Sequence, residues 1–235
     1  MSEPISLYHR HRFPAEIISH CVWLSYRLPI SFRQIEQVMA MWGVFLSDET
    51  IRRWCLKCGQ TYANALRRRR PRPGDTWHRD DVFLKINGET HSLWRAVDQD
   101  GNVLAILVQS RRNARAATRF FRTLLKGLCY VPRVLSTDKR AGDRVAHREM
   151  MPRVEHRGSR YVNNRAENSH QPTRQKERAI KKFKSPGHAQ RFLAAFSSIS
   201  CHVRPQRHRL PAPLYQAERA GHIQVWQEIT VTTAA

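Results

Sequence analysis

WHRDDVFLKING (77–88), followed by HSLWRAVDQDGNVL (91–104), decides the fold. Alternate residues of a strand share a face, which puts Asp80 with Val82, Leu84 and Ile86, and Asp81 with Phe83, Lys85 and Asn87. The pattern predicts strands over 77–87, 92–98 and 102–109, the last two joined through Gln99-Asp100-Gly101, because Asp-Gly is a hairpin signal. A carboxylate aligned with the more apolar face is costly unless something binds it, and a metal ion would. The alternatives are an Asp at a strand end in contact with water, or a slip of one residue that puts Asp81 in the place of Asp80.

Downstream, Ala117, Phe120, Phe121, Leu124 and Leu128 recur at helical spacing and predict an amphipathic helix over 113–127. PRVLSTD (132–138) reads as a short strand ending in Asp138. The carboxyl end of a strand is where open sheets place ligand crevices, although an Asp there also makes an Asx-turn. A helix-prone stretch and the apolar-poor segment 152–160 follow. A long helix is then expected from near Asn164, with Glu167 in its first turn. Glu167 reads either as a metal ligand or as the N3 partner of Asn164 in a near capping box. Gln171 and Arg174 lie one and two turns further on the same face, and Pro172 should kink or restart the helix. His170 stands beside these residues, either positioning water or DNA or simply orienting its neighbours. A further helix spans 187–202, with Ala189, Phe192, Leu193, Phe196 and Ile199 on its buried face. Residues 204–235 form a tail with one short helix near 214–223. Three antiparallel strands, then helix, strand and helix, is the order of an α/β RNase H-like core with a mixed sheet, expected over 77–203.

Upstream, residues 1–65 read as an all-α helix-turn-helix domain. Residues 14–26 carry Ile17, Ile18, Cys21, Val22 and Leu24 on one broad face. Ser31 and Gln34 make a capping box for a second helix, which Gly43 ends. Ser47 caps a third helix, DETIRRWCLKCGQTY (48–62), with Ile51 and Trp54 inward and Arg52, Arg53 and Lys57 outward. A basic helix after a Gly-containing turn suits the major groove, its outer cations reaching phosphates and base edges. The same pattern also describes a plain three-helix scaffold. Residues 66–76 read as a linker in which Arg67, Arg68, Arg69 and Arg70 precede two prolines. Charge repulsion and the prolines disfavour a packed element there. Such a strap either lies along a phosphate backbone or is a solvated hinge.

The 235 residues carry 41 Lys and Arg against 19 Asp and Glu, a net charge of +22. That exceeds what solubility needs and points to a polyanion, nucleic acid first. No run approaches a membrane span and no signal-type segment opens the chain, so an intracellular, cytoplasmic protein is expected, without a membrane partner. Five cysteines are too scattered for a disulfide framework, and Cys55-x-x-Cys58 lacks the second ligand pair of a zinc site.

The series WHRDDVFLKING, HSLWRAVDQDGNVL, STDK (136–139) and NNRAENSHQPTR (163–174), with RRWCLKCGQTYANALRRRRPRPGD (52–75), closely resembles the DDE transposases of bacterial insertion sequences, best of all insertion sequence family six. The resemblance runs from about residue 10 to residue 203. It implies an integrase-like core whose catalytic, metal-holding triad falls on Asp80, Asp138 and Glu167, with Arg174 as the basic residue two turns beyond the Glu. It also implies two Mg²⁺ or Mn²⁺ ions per site. Double-stranded DNA would be bound as terminal inverted repeats and as target, by a homo-oligomer that bridges two ends. The reaction would be 3′-end cleavage by water followed by strand transfer, forming a cointegrate replicatively. The chain departs from the family in having Asp81 rather than Glu, and Arg140-Ala141-Gly142-Asp143 where the family continues with a Leu and then Ser-Tyr-Gly. It also has Cys58 where a Phe is common. Loss of the aromatic after Asp138 is expected to loosen the packing behind it. Two rival classes remain: a transposase-derived protein that only binds DNA, and an RNase H-type nuclease, which would need neither head nor strap.

Overall fold

The computed structural model describes residues 6–70, 72–138, 141–158, 170–180, 183–203 and 210–232. The chain divides into two compact units: Pro71–Ala194, and Met1–Arg70 together with Ala195–Ala235.

The first of these units is built on a five-stranded sheet. Its strands are β1 (Thr76–Ile86), β2 (Glu89–Asp98), β3 (Val103–Gln109), β4 (Val134–Thr137) and β5 (Glu155–Gly158), in the order β3-β2-β1-β4-β5. β1, β2 and β3 pair antiparallel, whereas β4 runs parallel to β1 and β5 parallel to β4. This is the RNase H-like arrangement. The turn between β1 and β2 is Asn87-Gly88, both at positive φ (50° and 88°), as a two-residue hairpin of right-handed twist requires. Asp98 closes the next turn by accepting hydrogen bonds from the Asp100 and Asn102 amides at 2.9 and 2.8 Å.

Helices α4 (Ala114–Leu128) and α5 (Ala141–Met150) pack together. Asn113 caps α4 by accepting from the Ala116 amide at 2.9 Å. Its apolar stripe (Ala117, Phe120, Phe121, Leu124) joins Trp77, Trp94, Leu135 and Met151 in one buried cluster. α5 begins at Ala141, and a Cβ at Gly142 would lie 3.4 Å from the Ala114 amide nitrogen, so the two helices approach closely there. α6 (Gln171–Ile180) starts with Pro172 in its first turn, where a missing amide hydrogen costs nothing. The segment expected to lead into it, Glu167 included, lies outside the described residues. α7 (Pro186–Val203) opens after Ser185, whose hydroxyl accepts from the His188 amide, and it contributes residues to both units. β5, absent from the sequence reading, is an exposed and highly polar edge strand.

The second unit is helical: α1 (Ala15–Arg27), α2 (Phe32–Met41), α3 (Asp48–Arg68), the end of α7, and α8 (Ala212–Thr232). The capping box of Ser31 and Gln34 forms, Ser47 caps α3, and Gly43 leaves α2 at φ 74°. Cys55 and Cys58 are buried, and burial pushes the Cys58 thiol up to about 11. Gly59 is required because the Tyr26 hydroxyl occupies the position of its would-be Cβ.

Two sequence expectations are corrected. α3 continues through Arg67 and Arg68 rather than giving way to an unpacked strap. Leu66 is buried, Arg67 Nε donates to Ser198 Oγ at 2.8 Å, and Arg69 pairs with Glu228 at 2.7 Å. These partners and the negative end of the helix dipole offset the repulsion among the arginines. The short helix of the tail is a 21-residue helix, held by buried Trp226 and Ile229, with Trp226 edge-on to Tyr62 at 5.2 Å.

Candidate active site

Parallel pairing of β1 with β4 puts Arg79 level with Thr137, so the next residues along, Asp80 within β1 and Asp138 just past the end of β4, are neighbours on adjacent strands. Oxygens of Asp80, Asp81 and Asp138 lie within 4.8 Å of one another. Asp80 is buried on the face of Val82, Leu84 and Ile86; Asp138 is half-buried. Burial raises the Asp80 carboxyl, and the charges of Asp138 and Asp81 raise it further, to about 7.

His170 brings its Nε2 to 3.5 Å from Asp80 Oδ2. Burial, then the charges of Arg95, Arg174 and Arg79, hold this imidazole well below its ordinary pKa, so it faces Asp80 neutral. Arg95 lies opposite Asp80 in the β1–β2 register and donates to Thr173 Oγ1, tying the first turn of α6 to β2. Thr173 and Lys176 are buried with His170, whereas Gln171 and Arg174 are exposed. Sequence reasoning missed Arg95 and Thr173. An Arg cross-strand from a buried Asp is visible only once the hairpin register is known.

Asp81 turns to the other face of the sheet. Arg112 makes a close ion pair with its Oδ2, and Arg79 lies 3.7 Å from its Oδ1. Arg79 is fully buried, paired with Asp143 and stacked 3.8 Å over Trp94. Asp143 thus anchors α5 to β1 beside the site.

Crowded carboxylates of which one is held partly protonated form a donor set that fits a divalent cation. Hard oxygen ligands suit such an ion, and its charge would relieve the repulsion that raises Asp80. Asp80 is raised in the folded chain, so the stability it contributes is fully present below the ordinary carboxylate range and is lost as pH rises through about 7. In chelator, the melting temperature should fall more between about pH 5 and about pH 8 for the wild type than for Asp80→Asn. Identical profiles would contradict the assignment. Divalent-ion binding should strengthen over the same range, since the ion competes with the proton.

In the helical unit, Glu49 on the first turn of α3 accepts from Arg52 Nε and Nη2 at 2.6 and 2.5 Å and from Arg53 Nε at 3.1 Å. These bonds hold its carboxyl at about 2. Lys57 Nζ lies 2.8 Å from His11 Nε2. Arg53, Lys57, Arg67, Arg68 and Arg69 are exposed, while Arg52 and Arg70 are half-buried. Among the described residues, no helix is long and apolar enough to cross a membrane.

A family model described as a DDE domain, DDE_Tnp_IS240, matches residues 74–206. The transposase for insertion sequence-like element IS431mec of Staphylococcus aureus is 25% identical over 169 residues, covering 69% of this chain and 75% of that protein. The transposase for insertion sequence element IS257 in transposon Tn4003, also of Staphylococcus aureus, matches at the same identity and coverage. Among solved structures, the simian T-cell lymphotropic virus intasome in complex with a PP2A regulatory subunit is 16% identical, with a TM-score of 0.46. That match covers 60% of this chain and 53% of the viral one.

Proposed function

The chain belongs to the DDE-domain transposases of bacterial insertion sequences, and we propose that it cleaves the 3′ ends of its element and joins them to target DNA through Asp80, Asp138 and Glu167. The observation that carries this reading is the meeting of Asp80, within β1, and Asp138, just past the end of β4. Divalent ions, Mg²⁺ or Mn²⁺ and two per site, supply Lewis-acid activation of the attacking oxygen and stabilisation of the leaving one. Asp80 and Asp138 would hold them from the sheet, with Glu167 as the third ligand.

The protein's own groups do the rest. Neutral His170 packs against Asp80 and limits its rotation. Arg95 fixes the start of α6 against β2 through Thr173. Exposed Arg174 offers a guanidinium to a DNA phosphate.

The helical unit is the DNA-reading part, with α3 as its recognition helix. Arg52, Arg53 and Lys57 reach the terminal inverted repeats, and Arg67, Arg68, Arg69 and Arg70 reach phosphates. A basic excess of +22 makes that binding strongly salt-dependent. A homo-oligomer brings two ends together, and direct attack on target DNA produces a cointegrate replicatively. The chain works in the cytoplasm on nucleoid DNA. Incubation of the purified chain with labelled element ends and Mg²⁺ tests this: nicked and then joined products are expected. Retention of intact labelled ends under conditions of tight binding would reduce the protein to a DNA-binding role.

A further inference from the structure

Three carboxylates lie within reach of one ion, yet they are not equivalent. Asp81 follows Asp80 directly in β1, so its side chain leaves the sheet on the opposite side, where it is fully buried between Arg79 and Arg112. Arg79 cannot be redeployed easily. It is itself buried, paired with Asp143 and stacked on Trp94. Arg112 differs. It stands in the connection between β3 and α4, about a fifth of its side chain is exposed, and its guanidinium lies 4.5 Å over the exposed ring of Phe83.

We propose that Arg112 is a positioning residue that engages Asp81 in an ion pair and so keeps it from ligating a cation that lies within its reach, leaving Asp80 and Asp138 as the ligands that the sheet supplies. This rests on the reading of that pair as a cation site. Asp81 as an added carboxylate in the shell would change the chemistry in two ways. It would take a coordination position that a phosphate oxygen or the attacking water needs, and it would bind the ion more tightly, since ligand charge count sets the affinity of such sites. Pairing with a guanidinium removes both effects, because the Asp81 charge is already neutralised and its Oδ2 already engaged. The arrangement also accounts for a buried ion chain, Arg112–Asp81–Arg79–Asp143, on a face that is otherwise aromatic and aliphatic. Apolar residues there would serve stability as well or better. What the chain provides instead is a fixed direction for one carboxylate beside an ion site.

The test is Mn²⁺ binding to the full chain without DNA, followed by the electron paramagnetic resonance signal of the free ion. Arg112→Met keeps the aliphatic stem over Phe83 and removes the charge. Its Mn²⁺ affinity should rise by about tenfold or more, the kind of step that ligand charge count produces in cation sites. Adding Asp81→Asn to Arg112→Met should return the affinity to the wild-type value. Asp81→Asn alone should leave it nearly unchanged, and Arg112→Lys, which keeps the charge, should stay close to wild type. Loss of Mn²⁺ binding in Asp81→Asn alone would make Asp81 a ligand and overturn the proposal. An unchanged affinity in Arg112→Met would do the same. If Arg112→Met does not fold, the Asp81→Asn measurement still decides. Failure of the underlying reading looks different: Asp80→Asn would then leave Mn²⁺ affinity unaltered in the wild-type background.

Discussion

Asp138→Asn should abolish nicking and joining of element ends while leaving the affinity for those ends nearly unchanged. Asn preserves the shape of the side chain and removes its charge. The position is half-buried at the end of β4, so the substitution leaves no void in the core. Disturbing groups behind a metal ligand already costs about 10- to 100-fold in affinity or activity. Loss of a ligand itself should therefore exceed about 100-fold. End binding, proposed for the helical unit, should persist with its salt dependence intact. Parallel strand-transfer and binding assays on one preparation separate the two effects. A rate within a factor of about 2 of wild type, with unchanged metal dependence, would remove Asp138 from the chemistry, since ligand loss predicts a far larger fall.

The largest expected loss of stability is at Phe120. Its side chain is fully buried at the centre of the α4 stripe, 5.9 Å ring to ring from both Trp94 and Phe121. Phe→Ala at such a site costs about 3–5 kcal/mol, because apolar contacts are lost and a cavity remains. Domains of this size hold about 5–15 kcal/mol in total, so the variant should sit close to the unfolding threshold. Urea titration of wild type and Phe120→Ala measures the difference directly. A change below about 1 kcal/mol would mean that α4 does not form the main seal on that face of the sheet.

Particular residues show what was legible. The alternation in 77–88 placed Asp80 and Asp81 on opposite faces, and the structure keeps them there, because a strand's period of two leaves no freedom once its register is set. The helix caps at Ser31 and Ser47 were readable because capping is local chemistry. The hairpin at Asn87-Gly88 carried as clear a signal as Asp100-Gly101 and was passed over. β5 was not legible: Glu155-His156-Arg157-Gly158 has no apolar alternation, and an edge strand needs none, since pairing with β4 alone fixes it. Continuation of α3 through Arg67 and Arg68 was hidden for another reason. Its partners, Ser198 and Glu228, are distant in sequence, so the repulsion was visible and its relief was not. Arg112 and Asp143 carried no local signal either, since each is defined by a partner more than twenty residues away.

Sharing of one divalent ion by two acids, one from β1 and one from the end of β4, can be seen directly. Anomalous scattering from crystals of the chain soaked in Mn²⁺ measures this without relying on activity. A manganese peak within coordination distance, about 2.0–2.3 Å, of oxygens from both Asp80 and Asp138 is the predicted result. Manganese bound elsewhere, or no peak beside these two residues at saturating ion, would contradict it.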